Sequence, residues 1–590
     1  MLYIVPRATA MLATGIQHPY DRRMNTGAKT YILLGILATG LTLRLINLGL
    51  PDIATDDALY SLRSIGYIDY VASTNKQSTP ISWFPVPRWW QHLSFHDAPP
   101  FVFMAQWISF QLFGDNAVAV RLPFVAAGML AVYAAYLLGT LAAGSAAGLV
   151  AAAALAISNY AIWISRIGYL EGFLVPEIIF ALYFFIKAKS APKNYRWWGI
   201  AVAAGLLTKY TFLFMGPVFL IALLTWQRRA WKEKWFYAGC AVILILISPV
   251  IIYNVMMLQT RGHLDAALST LVGQSPEDFK GLTRGASKNL NIAAIAGTLM
   301  ARNASMGFIG LLLAALLTAG IDAWKRREAR APYALLALGG LWALIMLGVT
   351  SGDDHFGTVL LPFAAVVMGA GIARLWQSAA ANNRTKTMLV AVVALTGLWE
   401  VSFAAQSQLI TSPLITHPFL IAKNVPSFAG FAALESYVKN FYTEHPELST
   451  IVIFSEEPQL AAYQETRIRA ALTKNPTQPI QAHLLVFDDR IQWFPWVWIF
   501  ERRRLYNFAP IHSLTQFSKA IREKGADFYR TLGFTDVTII TAANERVMTA
   551  TAASDARTRA VEEIARAASP IDEIKNTRGK IIFKVFRLAI

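Results

Sequence analysis

As far as about residue 410 the chain alternates long apolar runs with short polar breaks. A helix of roughly 20 apolar residues is long enough to cross a bilayer. Runs approaching that length occupy residues 31–50, 122–141, 146–164, 172–187, 234–258, 305–323, 332–349, 357–376 and 388–406. The stretch 197–226 has basic clusters on both sides, so it must enter and return; it reads as two short helices meeting near Lys209 and Tyr210. The run 100–113 is about 14 residues, too short to cross, and is expected to lie in the interface. Beyond 410 the pattern changes. β-rich runs at 450–455, 482–487, 536–541 and 580–586 alternate with amphipathic helical segments at 431–442, 515–524 and 555–567. That alternation predicts a soluble α/β domain.

Charge supplies an orientation. Basic clusters sit at Lys187/Lys189/Lys193/Arg196, Arg228/Arg229/Lys232/Lys234, Lys325/Arg326/Arg327/Arg330 and Arg374/Arg384/Lys386. If each is cytoplasmic, as the positive-inside rule expects, the spans between them pair off. The expected organisation is a mainly α polytopic membrane protein with about 11 transmembrane helices. Residues 1–30 form a cytoplasmic N-terminal segment, and the first span reads as an anchor rather than a cleaved signal peptide. Residues 31–409 form the transmembrane domain, with extracytoplasmic loops at 51–120 and 259–304. Residues 410–590 form an extracytoplasmic soluble α/β domain, and the expected location is the plasma membrane. No internal repeat is apparent.

Composition agrees with a membrane chain. Of 590 residues, 55% are hydrophobic and 15% charged, with a mean hydropathy of +0.42; soluble chains carry about 25% charged residues. A formal charge of +17 would point to nucleic acid in a soluble protein. Here most of the excess lies in the four clusters, so no nucleic-acid partner is expected. The single cysteine, Cys240, allows no intrachain disulfide.

Carboxylates beside a membrane are the informative residues, because burying them unpaired is costly. On this topology Asp56, Asp57, His96, Asp97, Glu171, Asp353, Asp354 and His355 all fall at the outer ends of spans. Several cations, Arg44, Arg121, Arg166 and Lys209, stand at outer ends too, and Arg261 and His263 lie just outside another span. Solvated helix ends and snorkelling side chains account for any one of these positions. Their convergence on one face is what a site assembled from several helix ends requires.

These residues carry a family resemblance. The segment Thr55-Asp56-Asp57-Ala58-Leu59-Tyr60 resembles the Asp-Glu-x-x-Tyr motif opening the first extracytoplasmic loop of GT-C glycosyltransferases, notably the protein O-mannosyltransferase and aminoarabinose (lipid A) transferase group. His96-Asp97-Ala98-Pro99-Pro100 is similar to that group's Pro-Pro signature. Leu112-Phe113-Gly114 through Arg121-Leu122-Pro123 resembles its Phe-Gly…Arg-Leu-Pro segment, the most specific match. Ser165-Arg166…Glu171 falls where the group carries a second acidic residue, and Gly205-Leu206-Leu207-Thr208-Lys209 resembles its Gly-Leu…Thr-Lys turn. The resemblance covers roughly residues 31–410. The departure is Asp-Asp where the family has Asp-Glu, one methylene shorter, which shortens the reach of Asp57. The aromatic segment from Trp493 to Trp498 reads first as a packing or membrane-facing patch.

The resemblance implies an enzyme that takes a sugar from a polyprenyl-phosphate-linked donor and passes it to an acceptor hydroxyl on protein, lipid or glycan. An alcohol is a weak nucleophile at neutral pH and needs a carboxylate to take its proton. Asp56 is the expected base, with Asp57 and Glu171 beside it. Growing charge on the phosphate leaving group calls for preorganised cations, for which Arg44, Arg121, Arg166, Lys209, Arg261 and His263 are the candidates. Tyr60, His96, Asp97, Asp354 and His355 are candidates for substrate contact. The His/Asp pairs have ligand types suited to a divalent cation, yet none has the spacing of a dedicated site. The alternatives are a transporter or flippase of lipid-linked substrates, and a non-catalytic membrane subunit that retains the fold.

Overall fold

The computed structural model describes residues 26–66, 98–276, 302–325, 330–349, 354–379, 382–411, 417, 419–444, 482–506, 510–525, 527–532, 534–549 and 555–589. The first helix, α1 (Thr26–Leu45), ends with Arg44 in its last turn. A short amphipathic helix, α2 (Asp56–Gly66), opens on two consecutive aspartates. Next come α3 (Phe101–Phe113) and α4 (Ala117–Ala143). The Asn116 side chain accepts the Val118 and Ala119 amides and so caps the start of α4, satisfying donors that no helical carbonyl can reach.

The expected span 146–164 is interrupted. Helix α5 (Ser145–Ile157) stops at Ser158, whose side chain caps a second piece, α6 (Asn159–Ile164). The break leads into a turn that returns the chain to α7 (Glu171–Ala188). Glu171 begins α7 and Lys187 stands in its last turn, about 24 Å apart at 1.5 Å per residue. The entering-and-returning stretch is split as its flanking charges predicted: α8 (Tyr195–Thr208) ends at Lys209, which is extended, before a 3₁₀ turn and α9 (Met215–Thr225).

The bundle continues with α10 (Lys234–Arg261), α11 (Ala266–Leu271), α12 (Met306–Lys325), α13 (Arg330–Val349), α14 (Leu361–Ser378) and α15 (Asn383–Ala404). Six of the described helices are long and apolar enough to cross a membrane; the remaining apolar ones are shorter or carry more charge. The helices therefore support a polytopic bundle, while a count near 11 remains a reading of the sequence. One large apolar cluster fills the space among α4, α5, α7, α8 and α14.

The C-terminal part is α/β. Helix α16 (Phe431–Glu444) precedes a five-stranded sheet of β1 (Ala482–Phe487), β2 (Ile511–Ser513), β3 (Phe534–Ala542), β4 (Asp572–Lys575) and β5 (Ile581–Ala589). The order is β2-β1-β3-β5-β4; β1 lies parallel to β2 and β3, and β5 antiparallel to β3 and β4. Helices α17 (Leu514–Lys524) and α18 (Asp555–Ala567) pack on one face of the sheet. The strand expected at 450–455 lies outside the described residues.

This part does not stand apart from the bundle. A single apolar cluster joins Ile53, Ala58, Phe110, Ala119 and Val120 to Phe431, Trp498, Phe500 and Phe583. Trp498 sits in a π-helical turn, Val497–Glu501, and faces Phe110 at 6.4 Å between ring centroids. The end of the aromatic segment, Val497 and Trp498, is thus buried packing against the first loop, whereas Trp493 at its start is exposed.

Candidate active site

Four separated segments meet at one end of the bundle: the start of α2, the turn 165–171, the helix break at Lys209 and the turn 354–356. Asp57 is buried and fully engaged. It accepts the Thr55 amide (3.2 Å) and hydroxyl (3.1 Å) and lies 3.4 Å from the Arg121 guanidinium. Gly168 makes room for it: a Cβ at 168 would lie 2.8 Å from the Asp57 Cβ. Asp56, its neighbour, is only partly buried, and among the described residues nothing donates a hydrogen bond to its carboxylate. It faces His355, Lys209 and Glu171 electrostatically. Burial raises its carboxyl above the usual range; His355 and Lys209 oppose that rise, while Glu171 and Asp57 add to it. Burial likewise raises Asp57, opposed by Arg121 and by the two Thr55 bonds.

Glu171 is buried at the first turn of α7, where a carboxylate is favoured by the helix dipole. It holds the Lys209 ammonium at 2.5 Å. Lys209 also lies over the Phe356 ring, 4.6 Å from its centroid, and stays partly open, with 17% of its side chain exposed. The His355 ring packs against Tyr169 at 5.0 Å. The Tyr160 hydroxyl donates to the Asp354 carbonyl, and the Asp354 carboxylate meets Arg302 at 3.5 Å and Asn303 at 3.4 Å.

The three arginines expected at outer helix ends point inward, onto main-chain oxygens. Arg44 donates to the carbonyls of Gly40, Leu155 and Ala156 at 2.9–3.0 Å. Arg121 donates to Leu48, Pro51 and Asp52 at 2.8–3.0 Å, in addition to Asp57. Arg166 donates to Leu43, Arg44 and Ile46, and to Gln408. A guanidinium presents five donors in a rigid fork, which suits it to gathering carbonyls left over at a helix C-terminus. Together these side chains staple α1 and the chain leading to Asp56 onto α4, α5 and the 165–171 turn.

Gly128 leaves space for that arrangement. A Cβ there would sit 2.7 Å from the Ser165 Cβ and 3.0 Å from the Arg44 Nε. Gly128→Ala is expected to lower stability by about 1–3 kcal/mol through overpacking, readable as a lower thermal midpoint of the purified protein.

Arg261 and His263 end α10 in a turn held against the Lys209 break. The Tyr210 hydroxyl donates to Asp265 at 2.7 Å, and Asn254 donates to the same oxygen at 2.8 Å. The buried His263 places its Nδ1 2.7 Å from the Leu264 carbonyl. Tyr60 stands one turn along α2 and packs toward Phe103 at 5.9 Å. His96, Asp97 and Asp353 lie outside the described residues. Among the described residues no group of three His, Cys, Asp or Glu side chains could hold a metal ion.

Sequence reasoning missed Tyr169, Arg302 and Asp52. Tyr169 is an aromatic among many, and Arg302 lies in a polar loop. Asp52 stands four residues before Asp56 in the same loop, and that proximity was the one signal available.

Residues 97–253 match the family model described as dolichyl-phosphate-mannose-protein mannosyltransferase. Among solved structures the chain is similar to ArnT from Cupriavidus metallidurans in the apo state, at 12% identity and a TM-score of 0.53, covering 95% of this chain and 98% of that one. The same protein bound to undecaprenyl phosphate matches at the same values. The oligosaccharyltransferase AglB of Archaeoglobus fulgidus matches at 15% identity and a TM-score of 0.48, covering 87% of this chain and 69% of that one. Among curated proteins none matches this chain significantly. At such identities the likeness is one of fold, and the fold is that of the GT-C membrane glycosyltransferases.

Proposed function

We propose that this GT-C-fold chain is a membrane glycosyltransferase that moves a sugar from a polyprenyl-phosphate-linked donor to an acceptor hydroxyl on the extracytoplasmic face. The observation that carries the reading is the meeting of Asp56, Glu171, Lys209 and His355 from four separate segments. Asp56 is the general base. Its carboxylate is partly open and accepts no hydrogen bond from a described residue, and its raised proton affinity brings it nearer the operating pH, where proton transfer is most efficient. Asp57 is tied to Thr55 and Arg121 and holds the loop.

Lys209 is assigned to the leaving phosphate. Its ammonium is partly exposed beside Asp56, and a cation fixed there stabilises charge that develops as the glycosidic bond breaks. Arg261 and His263 stand on the turn that Asp265 ties to Tyr210, the residue after Lys209. Arg44, Arg121 and Arg166 act at one remove, by shaping the loop that carries Asp56. Tyr60, Asp354 and His355 border the space where donor or acceptor binds. The match to a mannosyltransferase family model and the undecaprenyl-phosphate complex of ArnT support a lipid-linked donor; sugar and acceptor class follow from neither.

The test uses membranes containing the full chain, given a panel of labelled polyprenyl-phosphate sugars. Donor consumption with label appearing on a hydroxyl-bearing acceptor is the expected result. Solute or lipid translocation without donor consumption would replace this reading with the transporter.

A further inference from the structure

Asp52 stands four residues before Asp56 and is buried. Its carboxylate is filled by the start of the C-terminal part. Oδ2 accepts the Ser427 hydroxyl (2.9 Å), the Ala429 amide (2.6 Å) and the Gly430 amide (3.2 Å); Oδ1 accepts the Ala432 amide (2.8 Å). The Asp52 amide donates back to the Ser427 carbonyl at 2.8 Å. A helix begins with amides that no helical carbonyl can reach, and a carboxylate is the strongest acceptor for them. Asp52 therefore caps α16 from a segment almost 400 positions away in sequence. Gly430, at φ +118°, makes the tight approach feasible, and a Cβ there would lie 2.7 Å from Ile582 of β5. The cap thus belongs to a turn wedged on the sheet.

The other side of Asp52 leads to the site. Its carbonyl accepts from Arg121 at 2.9 Å, and the same Arg121 nitrogen lies 3.4 Å from Asp57. A second tie runs parallel: Arg502, fully buried under Trp498, donates to the Asp115 carbonyl at 2.9 Å and to Glu435 of α16 at 2.8 Å. Ile53 and Ala58 share an apolar cluster with Phe431 and Trp498.

We propose that Asp52 is a positioning residue through which the seated C-terminal domain sets the placement of Asp56, so that this domain is a working part of the site. This rests on the glycosyl-transfer reading only for its activity readout. If α16 shifts, Asp52 loses its acceptor role; its backbone and Arg121 move with it, and the first turn of α2 is released. A displacement of about 1 Å at a reacting group costs on the order of 100-fold in rate.

The experiment compares the full-length wild type with Asp52→Asn and with the milder Ser427→Ala, which removes one of the four bonds and alters nothing in the loop. Amide hydrogen exchange is followed over residues 55–62 and 427–444, alongside kcat and its pH profile. For Asp52→Asn the expected result is faster exchange in both segments, a kcat lower by about 100-fold with donor KM little changed, and an acid limb moved toward the ordinary aspartate value of about 3.9. Ser427→Ala should shift each readout the same way by a smaller factor. Faster exchange confined to 427–444, with kcat and acid limb unmoved, would overturn the proposal and leave Asp52 a plain helix cap. Wild-type membranes that consume no donor would remove the glycosyl-transfer reading, and the exchange over 55–62 would still decide whether Asp52 governs the loop.

Discussion

Asp56→Asn should reduce transfer by about 10²–10⁴-fold, the range that general-base catalysis supplies, while leaving the protein folded and able to bind donor lipid. The amide has the size of the carboxylate but cannot take the acceptor's proton. No hydrogen bond from a described residue depends on it, so the folded state loses little. The wild-type pH profile provides the second half of the result. Burial raises the Asp56 carboxyl, and the proposed base would work only when ionised, so activity should be full above its pKa and fall as pH drops through it. The acid limb should therefore stand above about 3.9, the ordinary aspartate value. His355 lowers the Asp56 pKa; His355→Gln should move the limb to higher pH. Turnover that survives Asp56→Asn undiminished would reassign the base.

The largest combined effect is expected from Lys209→Met. Glu171 is buried and its carboxylate is held by Lys209 at 2.5 Å. Removing one partner of a buried ion pair strands the other charge, at a cost of about 3–5 kcal/mol. Activity should fall as well, because the same ammonium stands beside Asp56 and is assigned to the phosphate. The two losses separate in the double variant Glu171→Gln/Lys209→Met. With no charge left to strand, thermal stability should recover most of the deficit, while turnover should not return. If turnover recovers together with the thermal midpoint, Lys209 is a structural partner of Glu171 and nothing more. Lys209→Arg should retain stability better than activity, since a guanidinium keeps the charge but spreads it over a planar fork.

Much of this molecule was legible in the chain itself. Apart from 146–164, which breaks at Ser158, the long apolar runs predicted helices that the structure places within about five residues of their expected ends, and the basic residues around 197–226 predicted the break at Lys209. Strand β1 and helix α18 fall on the residues whose pattern announced them. These features are local: a run of apolar side chains, a period of two or 3.6 residues, a proline or a polar break acts through near neighbours in sequence. The acidic residues near helix ends were legible for a related reason, since charge beside a membrane is costly enough to be informative on its own.

What the chain could not reveal is where those side chains point. Arg44, Arg121 and Arg166 looked alike in sequence as free cations, and the fold turns all three onto carbonyls of segments up to 242 positions away. Asp56 and Asp57 are adjacent and chemically the same; the approach of Gly168 and Arg121 ties one of them and leaves the other open beside Lys209 and His355. Asp52 carried no signal beyond its position, because its partners begin at Ser427. The sequence by itself determined a helical membrane bundle, a C-terminal α/β domain and the set of charged residues from which a site could be built. Tertiary structure alone decided which of those charges are tied and which remain available, because that choice depends on atoms brought together by packing across hundreds of residues, where no local pattern reaches.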